Sequence, residues 1–234
     1  MFSHLAKGSV LDIGCGDGRY AASLHTMGFN VTAADMDSQR FQYHHLVKFH
    51  PVLLNDPLPF LDKAFDYVLL AEVIEHLRNP FSVIGEINRI LKPSGSLILS
   101  TPNILNVGSR MRFFFEGSFD FFREPTLEYA LLNKNNLQNI HIVVWRYQEL
   151  EYLLFENDFR VETLYADFLK PELRIISALF LPFLEFRCYL KRKRTQKKGG
   201  VDYKRIHNIL LSKELLCGRH LIVQARKCER ERDA

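Results

Sequence analysis

Asp12, Gly14, Gly16 and Gly18 fall at alternate positions in the run VLDIGCGDGRY at 10–20. Glycines allow a ligand to approach bare backbone, and a helix starting just after them offers unpaired N–H groups. Val10, Leu11 and Ile13, just ahead, read as a short apolar strand. Strand, glycine turn and helix together make a nucleotide-type cofactor site at the first turn of a doubly wound sheet. Two details argue against a nicotinamide cofactor. The third glycine of the dinucleotide fingerprint falls on Arg19, and Asp12 would repel a pyrophosphate. The same carboxylate would attract a cationic amino group, so the loop suits a positively charged ligand.

A second acidic position follows at Asp35, at the end of the next strand pattern (VTAAD). A carboxylate there can accept both hydroxyls of a ribose. Asp35 or Asp37 could instead cap a helix beginning near Ser38.

These motifs resemble the class I S-adenosylmethionine-dependent methyltransferases. FDYVLLAEVIEHLRNP (65–80) is similar to that family's fourth strand and following turn, and RILKPSGSLILSTPN (89–103) to its fifth strand. HIVVWRYQELEYLLFENDFRVETL (141–164) resembles the sixth-strand unit, and GRHLIVQARK (218–227) the closing antiparallel strand. The resemblance implies S-adenosylmethionine as cofactor. It places Asp12, Gly14, Cys15, Gly16 and Gly18 in the loop, Asp35 on the ribose, Met36 beside the adenine, Asp56 on the adenine amino group and Ala71 among the cofactor-binding positions.

Methyl transfer to oxygen or nitrogen is an in-line displacement at a carbon already activated by sulfonium, and alignment can supply roughly 7–11 kcal/mol of the barrier. A hydroxyl acceptor gains from a base, worth about 10²–10⁴-fold. His76 and His141 are the candidates, each with a structural alternative: turn packing for His76, a backbone bond for His141. Glu72 and Glu75 read as organisers of the turn. No metal site is expected, since Cys15, Cys188, Cys217 and Cys228 show no paired spacing.

The elements that must position these residues alternate. Strands are expected near 9–14, 30–36, 51–55, 65–71 and 95–101, and helices near 18–28, 38–48, 79–92 and 147–158. Two final strands, 160–166 and 220–227, complete one α/β domain over 1–234. The expected fold is a Rossmann-like, doubly wound sheet of seven mostly parallel strands, the last antiparallel by resemblance, with helical insertions. The insertion at 104–146 contains FFFEGSFDFF (113–122), a lid for an apolar or lipid-linked acceptor or the core of a short helix.

Charge is divided unevenly along the chain. Residues 1–167 hold 14 Lys/Arg against 20 Asp/Glu, and residues 168–234 hold 17 against 7. An acidic body with a basic end points to an anionic partner for that end. In the insertion at 168–214, the apolar run 175–190 precedes KRKRTQKKGG (191–200). Segment 175–198 reads either as an interfacial helix meeting an anionic membrane surface or as a core helix followed by a solvated charge run. The start, MFSHLAKGS, lacks the apolar core of a leader, and no run is long and pure enough to span a bilayer. A cytoplasmic location is expected, peripheral to the inner face of a membrane on the interfacial reading.

The function expected is methyl transfer from S-adenosylmethionine to a small-molecule or lipid- or glycan-linked acceptor, at oxygen. Two alternatives stay open. Only eight residues precede Ser9, where family members commonly carry a covering helix, which leaves room for a non-catalytic cofactor-binding scaffold or assembly factor. An RNA methyltransferase would use the basic segment on phosphates. The fourth strand lacks the Asn-Pro-Pro-aromatic element of amino-directed nucleic-acid enzymes, so nucleic acid is not the expected partner.

Overall fold

The computed structural model describes residues 2–54, 57–122, 126–132, 141, 143–196 and 203–228. Seven strands form one sheet: β1 (Ser9–Ile13), β2 (Asn30–Asp35), β3 (Lys48–Pro51), β4 (Phe65–Ala71), β5 (Leu91–Pro102), β6 (Phe159–Ala166) and β7 (His220–Lys227). Their spatial order is β3-β2-β1-β4-β5-β7-β6. The pairs from β3 to β5 are parallel, and β7 runs antiparallel to both β5 and β6. The expected architecture is what the chain adopts.

Alternation along the strands divides the core between two faces. Leu11, Ile13, Val68, Leu70, Leu97 and Leu99 point to one cluster; Val10, Leu69 and Ile98 point to the other. The first face is covered by α2 (Pro80–Ile90) and α5 (Tyr147–Glu156), the second by α1 (Arg19–Thr26). Helix α2 starts where Asn79 accepts the Ser82 N–H at 3.3 Å and Pro80 fills the first turn. Its buried Val83, Ile84, Ile87 and Ile90 lie at helical spacing, and Leu91 turns extended to begin β5. On α5, Leu150, Leu153 and Leu154 pack into the same cluster.

The expected helix at 38–48 does not form. Asp35 accepts the Asp37 N–H and Asp37 accepts the Gln39 N–H, so consecutive side-chain turns compete with a helical start. Phe41 is then drawn into the core beside Phe49, and the third strand falls at 48–51, earlier than the expected 51–55.

The remaining helices are α3 (Val107–Glu116), α4 (Thr126–Leu132), α6 (Pro171–Gln196), α7 (Lys204–Leu210) and α8 (Lys213–Cys217). Buried Asn103, just past β5, binds this region to the sheet. Its side-chain N–H₂ donates towards the carbonyls of Leu215 and Gly218 at 3.0 and 2.9 Å.

Candidate active site

At the C-terminal end of β1 the chain turns through Gly14, Gly16 and Gly18, all at positive φ (69°, 55° and 88°). Gly14 is required twice over, because a Cβ there would also lie 2.4 Å from Val73 Cγ2. The loop is fastened to β2: the Gly14 N–H donates to Ala34 O, and the Gly16 N–H donates to Asp35 Oδ2 at 2.8 Å. Asp35 Oδ1 accepts the Asp37 N–H at 3.0 Å. The predicted ribose acceptor thus also sets the loop's shape. Met36 stands exposed beside it, and the Arg40 guanidinium lies 3.8 Å from where a Cβ on Gly16 would stand.

Asp12 is 1% exposed, on Val10's side of the sheet beneath α1. Burial raises its carboxyl to about 7, opposed by a hydrogen bond from the Ala21 backbone and reinforced by the nearby charge of Asp35. Its Oδ2 has no hydrogen-bond partner. A buried, unpartnered carboxylate oxygen is costly unless a ligand completes it, and a cationic amino group would do so. The chemistry of this loop therefore fits S-adenosylmethionine. Burial, with the charges of Asp12 and Asp35, pushes the Cys15 thiol up, so it is an inert wall of the loop. Asp56 lies outside the described residues.

A second group of side chains follows β4 in the short turn Ile74–His76. The returning segment crosses this turn: the Val143 N–H donates to Glu75 O, and Trp145 Nε1 donates to Ile74 O. The crossing brings His141 to His76, with ring centroids 4.8 Å apart. His141 Nδ1 also lies 2.8 Å from Phe121 O, the backbone bond foreseen as its structural role. Glu75 is fully buried, and burial, with the neighbouring charge of Glu72, raises its carboxyl to about 8. Glu75 Oε2 accepts from Thr101 Oγ1, while Oε1 has no partner. Glu75, His76 and His141 each offer one ligand atom, all within 4.8 Å of one another. No metal site was anticipated from the sequence, yet this set of carboxylate and imidazole donors could take a divalent cation.

Glu72 holds a third position. It leaves β4 at φ +55°, a left-handed conformation unusual for a non-glycine residue. Ser100 Oγ donates to Glu72 Oε1 at 2.5 Å, and His220 Nε2 lies 3.3 Å from Glu72 Oε2. On the other side of the imidazole, His220 Nδ1 is 2.6 Å from Asp167 Oδ2. Burial raises the Glu72 carboxyl, against the opposing pull of His220 and Ser100. Burial acts the same way on Asp167, but hydrogen bonds from the His220 side chain and backbone hold it below the ordinary carboxylate range. Sequence reading missed Ser100, Asp167 and His220. The only local signal was their position at strand ends on the sheet edge that carries the glycine loop.

Ala71 and Ser100 line a cleft of about 280 Å³ between α1 and the sheet, walled also by Phe2, Tyr20, Leu24, Met27, Ile98 and Ile222. None of its lining side chains is charged. The phenylalanine-rich segment divides: Phe114 and Phe115 face solvent, whereas Phe121 packs on His220 and Phe122 on His141.

Residues 2–164 match the profile of a family described as a methyltransferase domain. The chain is 36% identical over 106 residues to a ubiquinone biosynthesis O-methyltransferase of Rickettsia akari, covering 43% of this chain and 42% of that protein. With the protein of the same name from Pseudomonas syringae pv. tomato it shares 33% over 109 residues, 43% and 47% of the two chains. The matched stretch spans less than half the length of these curated relatives. The fold of the chain is similar to that of a SAM-dependent methyltransferase from Archaeoglobus fulgidus, with a TM-score of 0.58, 16% identity, and 95% and 87% of the two chains covered. A SAM-dependent methyltransferase from Methanosarcina mazei aligns with a TM-score of 0.56 at 19% identity, over 97% and 95%.

Proposed function

The chain belongs to the methyltransferase-domain family, and from that premise we propose that it uses S-adenosylmethionine to methylate an oxygen of a small-molecule or lipid- or glycan-linked acceptor with a largely apolar body, met at an anionic membrane surface. One observation carries the reading: the unpartnered Oδ2 of buried Asp12, under a glycine loop tied to Asp35. When bound, S-adenosylmethionine supplies a methyl group activated by its sulfonium. Asp12 would hold the ammonium, Asp35 the ribose hydroxyls, and Met36 and Ala71 the flanks of the cofactor.

His76 and His141 then serve the acceptor. One imidazole accepts the hydroxyl proton as the oxygen becomes nucleophilic, and the other, 4.8 Å away between centroids, stabilises the resulting charge. Glu72, fixed by Ser100 and His220, orients the acceptor at the tip of β4. The uncharged cleft beside Ala71 and Ser100 favours an acceptor with an apolar body, and Phe121 and Phe122 pack on His220 and His141. The O-methyltransferase names of the relatives agree with oxygen as the acceptor atom.

A second reading rests on the donor set of Glu75, His76 and His141. A divalent cation held there would polarise the acceptor hydroxyl, in place of a general base. Dialysis against a chelator followed by Mg²⁺, Mn²⁺ or Zn²⁺ separates the two: activity that survives chelation unchanged leaves the imidazole base, and activity restored only by metal selects the cation.

The direct test is calorimetry with S-adenosylhomocysteine, followed by transfer of labelled methyl from S-adenosylmethionine to phenolic and lipid-linked acceptors. Micromolar binding is expected, in the usual range for such ligands. Binding of NAD with no affinity for S-adenosylhomocysteine would sink the proposal.

A further inference from the structure

We infer that α6 is a membrane-docking element, lying flat on an anionic bilayer with its outward apolar stripe in the acyl boundary and its basic end among the headgroups. The helix has 26 residues, about 39 Å at the usual rise. One seam is seated on the protein: Leu173, Leu181 and Leu184 pack with Val107, Leu216 and Cys217. The opposite seam, Ile175, Leu179, Phe183 and Phe186, recurs at the same helical spacing and faces solvent. Leu179 is 76% exposed and Phe183 61%. A helix on a globular surface carries polar residues on that side. An apolar stripe there marks an interaction surface. Helix α3 packs against α6 and adds exposed Phe114 and Phe115.

Charge identifies the occupant. Glu172 and Glu185 are the only carboxylates on α6, against Arg174, Arg187 and the consecutive Lys191, Arg192, Lys193 and Arg194. A second copy seated on the same face would bring an equal excess of cations against this one, whereas anionic lipid complements both the stripe and the basic end. Among the described residues no helix is long and apolar enough to cross a membrane, so the element lies on the bilayer and does not span it. The profile match ends at residue 164, before α6 begins at Pro171.

Docking stands apart from the chemistry. Its consequence, that the acceptor is drawn from the bilayer, rests on the methyl-transfer reading. The phenylalanine-rich segment that begins on α3 ends at Phe121 and Phe122, against His220 and His141.

The test is co-sedimentation of the full chain with phosphatidylcholine vesicles, with and without phosphatidylglycerol. Binding should require phosphatidylglycerol and should weaken as salt rises from about 0.1 M to about 1 M, where the Debye length falls from about 10 Å to about 3 Å. These two dependences need no variant. Joint reversal of Lys191, Arg192, Lys193 and Arg194 to glutamate should lower vesicle partitioning by roughly tenfold or more. Leu179→Ser, Phe183→Ser and Phe186→Ser together should do the same. Both variants should keep the wild-type melting temperature, because the altered side chains are not seated on the core. Wild-type protein left in the supernatant, or equal uptake by neutral and anionic vesicles, would overturn the inference. So would a wild-type dimer, seen by light scattering, that the serine variant dissolves without any vesicle uptake. Vesicle binding by a chain that ignores S-adenosylhomocysteine would keep the docking and remove the methyl-transfer reading.

Discussion

His220 Nε2, at the start of β7, lies 3.3 Å from Glu72 Oε2, at the end of β4, although β5 separates the two strands in the sheet. The imidazole is held from behind by Asp167, so Glu72 is braced across three strands at the point where its backbone is least relaxed. His220→Ala should release that carboxylate. Turnover should fall at least about tenfold, as for a lost orienting partner, while S-adenosylhomocysteine affinity stays within a few-fold. His220→Gln should recover part of the loss through its remaining hydrogen bond. Unchanged kcat in His220→Ala would show that the brace has no role in turnover.

The general-base assignment is tested by His76→Ala and His141→Ala. Each should lower kcat by about two orders of magnitude, with cofactor affinity preserved. Equal loss in both single variants and in the double variant would mark the pair as one functional unit. Unchanged turnover in both singles would remove either residue as a base acting alone.

Asp35→Ala removes a ribose acceptor and the Oδ2 that takes the Gly16 N–H. The expected loss is about 1.5–3 kcal/mol of S-adenosylhomocysteine binding, measured by calorimetry. Asp37→Ala leaves the Gly16 bond in place and should change affinity far less.

Asp12 gives a pH dependence of definite sign. Its carboxyl titrates near 7, and a bound ammonium requires the ionised form. Affinity for S-adenosylhomocysteine should therefore weaken as pH falls from 8 to 6, by up to about tenfold per unit below 7. Comparing buffers of different ionisation enthalpy at pH 6.5 should reveal proton release. Stability runs the other way. The folded value of about 7 lies above the ordinary 3.8, so between the two the folded chain retains a proton that the unfolded chain has lost. Stability then falls as pH rises through that window and stays lowered above it. Asp12→Asn should raise the Tm at pH 8 by a few degrees while weakening cofactor binding. A lower Tm in this variant would contradict the account.

Much of this was legible in the chain before folding. The apolar patterns of β1, β2 and β4, the helix expected near 79–92 and the glycine loop are local features, and each formed close to its expected bounds, whereas β3 fell three residues early. The helix expected at 38–48 failed because Asp35 and Asp37 bend the backbone through side-chain bonds that a hydrophobic period does not register. Glu72 could be read only as a turn residue, since its partners Ser100 and His220 reach it through strand register. The outward stripe of α6 was ambiguous for a related reason. A helix apolar on both sides has the composition of a core helix, and only packing shows which side is left uncovered.

The sheet order carries one more consequence. Strand β7 fills the slot between β5 and β6, and β6 pairs with no other described strand. During synthesis β6 therefore emerges without a neighbour, and the whole stretch of α6 to α8 must follow before His220–Lys227 can close the gap. Until then β5 and β6 expose facing edges, the kind of surface on which nascent chains aggregate. The antiparallel strand thus acts as a late keystone, last in chain order and joined to β5 across a long sequence separation.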